Sequence, residues 1–396
     1  MHNLTTRLLL NLGHALDHMF LLIFATAVTS IARDFGLARW EDLMPYSVPA
    51  FFCFGLGSLP AGRFGDLWGR RPMMVVFFVG IGLASIAVSL TSSPLQLSIA
   101  MALIGCAASI YHPVGIPMLV QGELRPGWVI GLNGLAGNLG VAAAAGVTGL
   151  LIKYFGWRMA FVVPGVISVL AGIVFALAAT REHSAPAKKK AAGEHQGMSM
   201  AKVLFIMTVA ATSGSTLFNF STSSNFELLS SKFTDLASDP AQIGLLLAIV
   251  YTIASLNQLV IGRLIDTVAL KPLYVSVVAL QLFGLIVASG AEGWLFYVAQ
   301  IVFMAAIFGA IPFTDAMVVR FVDDAMRSRV SGMRLTVALG ASSLAVWLIG
   351  PVVKQAGFGA LIWVMVATSF VTFMVVNTLP KTPAPKAAEA APAPGK

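Results

Sequence analysis

Apolar and polar stretches alternate along the whole chain at intervals that suit a lipid bilayer. Roughly 20 consecutive apolar residues span the hydrocarbon core as a helix, and short polar segments mark the turns between crossings. The pattern predicts twelve transmembrane helices, which we call predicted helices 1 to 12. They cover residues 8–32, 43–61, 73–90, 95–120, 128–152, 159–179, 203–226, 243–265, 273–289, 294–319, 330–353 and 360–379.

Composition agrees with a membrane class. The 396 residues are 58% apolar and 11% charged, with a mean hydropathy of +0.86, whereas soluble domains are about half apolar and a quarter charged. A soluble enzyme with one packed core is therefore excluded. The two cysteines, Cys53 and Cys106, show neither a zinc spacing nor a disulfide framework. The net charge of +8 is spread between apolar runs rather than gathered on one face, so no nucleic-acid partner is expected.

The basic residues predict the orientation. If the N-terminus is cytoplasmic, nineteen of the 25 lysines and arginines fall on the inner side. The outer loops hold only Arg33, Arg39, Lys153, Arg158, Lys232 and Lys354. This bias predicts a multi-pass protein of the plasma (inner) membrane with both termini cytoplasmic. We expect no cleaved signal peptide, because His14, Asp17 and His18 interrupt the first apolar run.

The longest internal polar segment divides the predicted helices six and six. Residues 181–202 contain Pro186, a lysine run at 188–190 and Gly193, a composition typical of a linker. The sequence therefore predicts an N-terminal six-helix bundle over 1–180, a cytoplasmic linker over 181–202 and a C-terminal six-helix bundle over 203–380. A Pro-, Ala- and Lys-rich cytoplasmic tail, predicted to be disordered, covers 381–396.

The two halves repeat one another at an offset of about 200 residues. Residues 62–66 read Gly-Arg-Phe-Gly-Asp and residues 262–266 read Gly-Arg-Leu-Ile-Asp, each in the loop after the second predicted helix of its half. Pro113 in predicted helix 4 matches Pro312 in predicted helix 10. This self-similarity predicts two six-helix units related by an axis along the membrane normal.

Three motifs resemble a known family. Residues 62–71, Gly-Arg-Phe-Gly-Asp-Leu-Trp-Gly-Arg-Arg, resemble the signature loop between the second and third helices of the major facilitator superfamily, and Gly-Trp-Arg at 156–158 also resembles that superfamily. The stretch 105–113, Gly-Cys-Ala-Ala-Ser-Ile-Tyr-His-Pro, is similar to one in the fosmidomycin-resistance-like efflux group. The resemblance implies an all-α membrane protein with twelve helices in two pseudo-symmetric six-helix bundles.

The signature loop predicts a conformational latch. Asp66 can accept hydrogen bonds from Arg63 and Arg70 and lie against the amino end of predicted helix 11, near residues 328–331. Such contacts exist in only one of two alternating states and so bias the balance between them. The predicted latch residues are Gly62, Arg63, Asp66, Arg70, Arg71, Gly262 and Asp266.

Few ionisable residues fall inside the predicted helices, and most lie on helices that the resemblance places around a central cavity, namely 1, 4, 7 and 10. Ionised groups avoid lipid, so these side chains are expected to face that cavity. The predicted proton-coupling residues are Asp17, His14, His18 and Asp315. The predicted substrate-binding residues are Asn11, Tyr111, His112, Asn219 and Thr314.

Predicted helix 5 is rich in glycine. Small residues let membrane helices approach closely, which predicts close helix contacts at all six positions. They are Gly131, Gly134, Gly137, Gly140, Gly146 and Gly149.

The predicted function is proton-coupled secondary transport of a small organic solute by alternating access, with efflux of toxic compounds implied by the resemblance. The residues also allow uptake of a small metabolite or transport of a transition metal, although His14 and His18 supply only half of a metal site. The alternative functions from other classes are a membrane-embedded enzyme and a non-transporting scaffold. No Gly-rich nucleotide loop occurs. We expect no enzymatic activity, no cofactor, no resident metal and a monomer whose partners are solute, protons and lipid.

Overall fold

The structure, a computed structural model, describes residues 3–121, 126–179, 200–233, 239–321 and 324–380. Every regular element in these ranges is helical. Most of the predicted linker and the whole predicted tail, 381–396, lie outside the described residues.

The helices follow one another through short connections. Two 3-10 turns, Trp40–Asp42 and Met44–Ser47, precede α2, and a π-helical turn, Tyr111–Gly115, joins α4 to α5. The helices are α1 (Leu4–Asp34), α2 (Val48–Trp68), α3 (Arg70–Ser89), α4 (Pro94–Ala108), α5 (Ile116–Val120), α6 (Pro126–Phe155), α7 (Trp157–Ala178), α8 (Met200–Lys232), α9 (Pro240–Thr267), α10 (Leu270–Gly290), α11 (Gly293–Phe321) and α12 (Asp324–Val376). Within the described residues, eleven helical segments are long and apolar enough to cross a membrane.

Three predicted helices differ in the structure for identifiable reasons. Predicted helix 4 is not one regular helix: α4 ends at Ala108, and the chain passes through the π-helical turn because Pro113 has no N–H to donate. Predicted helices 11 and 12 are joined in α12, whose one non-helical residue is Gly357, at φ 73° and ψ 177°. Glycine adopts this backbone conformation readily, since it has no Cβ.

The two ends of the helices define two faces of the molecule. Asn3 Nδ2 donates to the Ala178 carbonyl oxygen at 3.2 Å, so the start of α1 and the end of α7 meet. We call this side, to which α8 also leads, the linker face, and the opposite side the far face. The N-terminal half comprises α1 to α7 and the C-terminal half comprises α8 to α12.

The glycines of α6 make close contacts with α1 in the same half and with α9 in the other half. A Cβ on Gly140 would collide with the Ala15 carbonyl of α1, and one on Gly149 with the Pro240 carbonyl of α9. Gly137 and Gly146 are also in close contact, with His14 and Ala248. The prediction of close contacts is confirmed at these four positions. It is wrong at the other two, residues 131 and 134, which have nothing within 4 Å and lie on the wall of a cavity.

Candidate functional site

A central cavity of about 910 Å³ lies between the two halves and is lined by both. The four helices expected to line it all contribute: α1, the π-helical turn of predicted helix 4, α8 and α11. The wall extends from His18 on α1 to the linker face, where it includes Trp128 near the start of α6 and Arg263 and Asp266 near the end of α9. The cavity therefore reaches the linker face.

Three histidines meet on the cavity wall. His14 and His18 lie one turn apart on α1, and His112 comes from the π-helical turn. Their ring centroids are 4.8 Å apart for His14 and His18, 5.1 Å for His14 and His112, and 5.9 Å for His18 and His112. The turn before Pro113 presents the His112 ring to α1, so the proline that breaks predicted helix 4 also helps to build this cluster.

Asp17 lies behind the histidines. It is fully buried and does not line the cavity. Its Oδ2 is 3.4 Å from His112 Nε2, and neither carboxylate oxygen has a hydrogen-bond partner among the described residues. Burying an uncompensated carboxylate is costly. A proton on Asp17 or on His112 removes that cost, and His112 is also in contact with the cavity.

An asparagine fixes the orientation of His14. The Asn133 backbone carbonyl oxygen lies 2.7 Å from His14 Nδ1, and since a carbonyl can only accept, Nδ1 carries a hydrogen. The Tyr111 ring stacks on the His14 ring at 4.8 Å. Asn133 Nδ2 donates to the Tyr111 hydroxyl at 2.8 Å and to Asn11 Oδ1 at 2.9 Å. Asn133 was not among the predicted site residues, although an amide in a glycine-rich apolar helix is a usable signal.

The predicted substrate-binding residues divide into two groups. His112, Asn219 and Thr314 lie on the cavity wall. Asn11 and Tyr111 do not line the cavity, because their polar atoms are directed to Asn133 in the packing between α1, the π-helical turn and α6. These two residues support His14 rather than contact the cavity.

The C-terminal half supplies neutral polar groups to the wall. Asn219 of α8 donates to Ser342 Oγ of α12 at 2.9 Å. Asn138 of α6 donates to Gln258 of α9 across the two halves. Asp315, predicted to couple protons, is exposed and lines the cavity near the linker face, away from the histidines. The Asn138–Gln258 contact was missed by the sequence analysis, since neither residue is ionisable.

The histidine cluster is wider than a single metal centre. The nearest ligand atoms of His14, His18 and His112 lie within 4.8 Å of one another. A tetrahedral zinc site with bonds of 2.0–2.1 Å holds its donor atoms roughly 3.4 Å apart. These three imidazoles could hold a transition metal only after the rings move together. As they stand they form a cluster suited to hydrogen bonds and proton transfer.

The predicted hydrogen bonds from Arg63 and Arg70 to Asp66 are not made in this conformation. Asp66 is exposed, and no hydrogen bond or ion pair joins it to Arg63, Arg70 or another described residue. Arg70 instead donates to the Pro117 carbonyl at 3.2 Å, and Arg71 donates to the Ala176 carbonyl. The physical reason is that the linker face is open, with residues 262 and 266 on the cavity wall. The expected neighbour of Asp66, residues 328–331, lies where side chains are not described.

Comparison with known proteins identifies the class. The chain matches the Major Facilitator Superfamily over residues 10–234, more than half of its 396 residues, and it belongs to that superfamily. Solved structures have the same fold. The E. coli xylose transporter XylE, in an inward open conformation, has a TM-score of 0.75 at 14% identity, covering 95% of this chain and 96% of that one. A bacterial homolog of the human lysosomal transporter Spinster, inward-facing and occupied, has a TM-score of 0.74 at 14% identity, covering 93% and 94%.

Curated relatives include antibiotic resistance proteins. The chain is 30% identical over 149 residues to the puromycin resistance protein pur8 of Streptomyces alboniger, covering 37% of this chain and 29% of that protein. It is 31% identical over 176 residues to the probable actinorhodin transporter of Streptomyces coelicolor, covering 42% and 30%. The matches span less than a third of those two relatives. Membership of this superfamily indicates a transporter rather than an enzyme.

Proposed function

We propose that the chain is a proton-coupled efflux transporter that moves a small organic solute by alternating access through the central cavity. The observation that carries this proposal is the cavity of about 910 Å³ between the halves, with three histidines on its wall and the buried Asp17 3.4 Å behind one of them. A protonatable group that communicates with the solute pathway is what coupling requires.

The proton pathway that we propose runs from the cavity through His112 to Asp17. His112 reaches both, and its Nε2 faces the Asp17 carboxylate. His14 and His18 extend the cluster along α1, and Asp315 accepts protons nearer the linker face. Protonation changes the charge on the cavity wall, so solute release and proton loading can alternate on the same surface.

The solute that we propose is neutral or amphipathic. Phe51, Phe54 and Trp128 give the wall aromatic surface, while Asn219 and Thr314 offer hydrogen bonds. The one described arginine on the wall, Arg263, lies towards the linker face, so a strongly anionic solute would lack a cation near the histidines. One Streptomyces relative is an antibiotic resistance protein and the other a probable actinorhodin transporter, which favours export of such compounds. The His-Pro stretch at 112–113 supports the fosmidomycin-resistance-like group.

Topology forms part of the same proposal. We place both termini and the linker face in the cytoplasm of an inner membrane, with α12 crossing twice about Gly357 to give twelve spans. The proposed units are a six-helix bundle over 1–180, a linker over 181–202, a second bundle over 203–380 and a disordered tail over 381–396, acting as a monomer. In the opposite state, with the linker face closed, the signature loops 62–71 and 262–271 form the latch.

The energetics of one proton suffice for efflux. Crossing about 100 mV supplies roughly 2.3 kcal/mol, and a pH step of about one unit adds roughly 1.4 kcal/mol. Together these sustain a gradient of about a few hundredfold for an uncharged solute.

The test is solute flux in proteoliposomes with an imposed pH gradient, across a panel of amphipathic antibiotics that includes puromycin. We expect gradient-driven flux that Asp17→Asn abolishes. The matched control is Asp34→Asn on the same helix, whose carboxylate pairs with Arg158 at the surface, and it should retain flux. Flux that does not depend on the pH gradient would exclude proton coupling. Unchanged flux in Asp17→Asn would contradict the role assigned to that residue.

A further inference from the structure

The far face is sealed between α6 and α9 by an ion pair and a glycine. Lys153 Nζ, on the last turn of α6, lies 2.7 Å from Asp239 Oδ2, just before α9. One turn earlier, Gly149 allows α6 to approach the Pro240 carbonyl so closely that an added Cβ would collide with it. The two contacts join the N-terminal half to the C-terminal half.

A second contact of the same construction joins α12 to the turn before α2. Lys354 on α12 forms an ion pair with Asp42. One turn earlier on α12, a Cβ on Gly350 would lie 2.6 Å from the Glu41 carbonyl oxygen. Here the lysine and glycine come from the C-terminal half and the acidic residue from the N-terminal half.

The two contacts are related by the internal repeat. Gly149 and Gly350 occupy equivalent positions, as do Lys153 and Lys354, each pair separated by the offset at which the halves repeat. Each lysine follows its glycine by four residues, which places the two on the same side of the helix. A random surface ion pair has no reason to recur in this way.

We propose that these two contacts are a paired gate on the far face, and that they set the balance between the linker-open state and a far-open state. The inference rests on the alternating access proposed above. Each contact has a steric part, in which glycine lets two backbones touch, and an electrostatic part, in which the lysine forms an ion pair with an acidic residue of the other half. Both must separate before the far face can open.

Electrostatics favour the charged form of the α6–α9 contact. The Lys153 ammonium lowers the pKa of the Asp239 carboxyl, and the amides of Ala241 and Gln242 add to this effect. Asp239 caps α9 with Oδ1, 3.0 Å from the Ala241 nitrogen, which leaves Oδ2 for the lysine. The carboxylate is thus held in place before the lysine reaches it.

Two other far-face ion pairs among the described residues each lie within one half and provide controls. Lys232 pairs with Glu292 at 2.5 Å, within the C-terminal half. Arg158 pairs with Asp34 at 2.8 Å, within the N-terminal half. A gate role therefore distinguishes Lys153 and Lys354 from these neighbours.

The experiment measures far-face distances by electron paramagnetic resonance. Spin labels at Leu90→Cys and Gly290→Cys report the separation of the halves, in a background where Cys53 and Cys106 are serine. Leu90 is exposed just beyond the far end of α3, and Gly290 ends α10 with open space around it. The parent should show mostly the short, far-closed distance.

The lysine variants test the electrostatic part. Exposed ion pairs shift an equilibrium about 1.4- to 5-fold each, so Lys153→Ala with Lys354→Ala should raise the ratio of far-open to far-closed molecules by about 2- to 25-fold. The swap Lys354→Asp with Asp42→Lys, which leaves the Asp239 cap of α9 intact, should keep the parent distribution. Lys232→Ala should leave it unchanged. A double variant that matches the parent, or a control that shifts as much, overturns the proposal.

The glycine variants test the steric part. Gly149→Ala or Gly350→Ala forces a Cβ against a carbonyl and should raise the far-open population by about tenfold or more. Gly131→Ala, on α6 with nothing within 4 Å, is the control. An unshifted Gly149→Ala distribution contradicts the steric role. The distance measurements need no solute or gradient. If the variants shift the far-face distances but the protein shows no solute flux, the gate is supported and the proposed transport is rejected. If the protein shows flux but the variants leave the distances unchanged, the proposed transport is supported and the gate is rejected.

Discussion

Replacing Tyr111 with phenylalanine removes one hydroxyl and leaves the ring stacked on His14. The hydroxyl donates to the Leu10 carbonyl oxygen at 2.7 Å and accepts from Asn133 Nδ2 at 2.8 Å. The residue is wholly buried and does not line the cavity. The substitution therefore removes two internal hydrogen bonds and no contact with the solute pathway.

The size of the effect follows from what the two partners retain. Each hydrogen bond contributes about 0.5–1.5 kcal/mol net, which gives about 1–3 kcal/mol for the pair. Asn133 Nδ2 still donates to Asn11 Oδ1 at 2.9 Å, and the Leu10 carbonyl still accepts within α1. Neither group is orphaned, so we expect a loss of about 1–2 kcal/mol in the free energy of unfolding.

The assay is thermal unfolding in detergent, followed by the fluorescence of the seven tryptophans, together with solute flux against concentration. Tyr111→Phe should lower the melting temperature by about 1–2 °C and leave the KM for flux unchanged. Tyr274→Phe is the control for the melting temperature only, because Tyr274 stacks on Phe313 at 4.2 Å and its hydroxyl has no hydrogen bond to a described residue, but the residue lies on the cavity wall. A raised KM with an unchanged melting temperature would refute this reasoning and return Tyr111 to the substrate-binding residues.

Three further predictions concern the site and the gate. Gly137→Ala places a Cβ 2.7 Å from the His14 ring, so gradient-driven flux should fall at least tenfold, with unchanged far-face distances. Asn138→Ala removes the contact with Gln258 across the halves, and far-face distance measurements should show a larger far-open population. Because Lys153 lowers the pKa of Asp239 in the closed gate, the ion pair contributes to closure above the ordinary carboxyl pKa. That contribution is lost as pH falls through the lowered value, so a pH titration of far-face distances should show opening only below about pH 4. Asp239→Asn should remove the part of this acid response that the Lys153–Asp239 contact supplies.

The sequence by itself determined the membrane class, the places of most helices, the repeat of the halves and the few residues of interest within the bilayer. These properties depend on local composition and on the thickness of the hydrocarbon core, which every segment meets independently. The short list of ionisable residues was informative for the same reason, since lipid excludes charge wherever it occurs. His14, His18 and His112 were identified in this way, and the structure places all three on one wall.

Only the tertiary structure decided which side of each helix faces the cavity. A polar side chain that avoids lipid can satisfy itself on the cavity wall, as Asn219 does, or in a helix contact, as Tyr111 does, and helical periodicity does not distinguish the two. The gate lay beyond the reach of the sequence for a related reason. Asp42 and Lys354 are 312 residues apart, and their contact depends on how two six-helix units pack against each other, which no local pattern encodes.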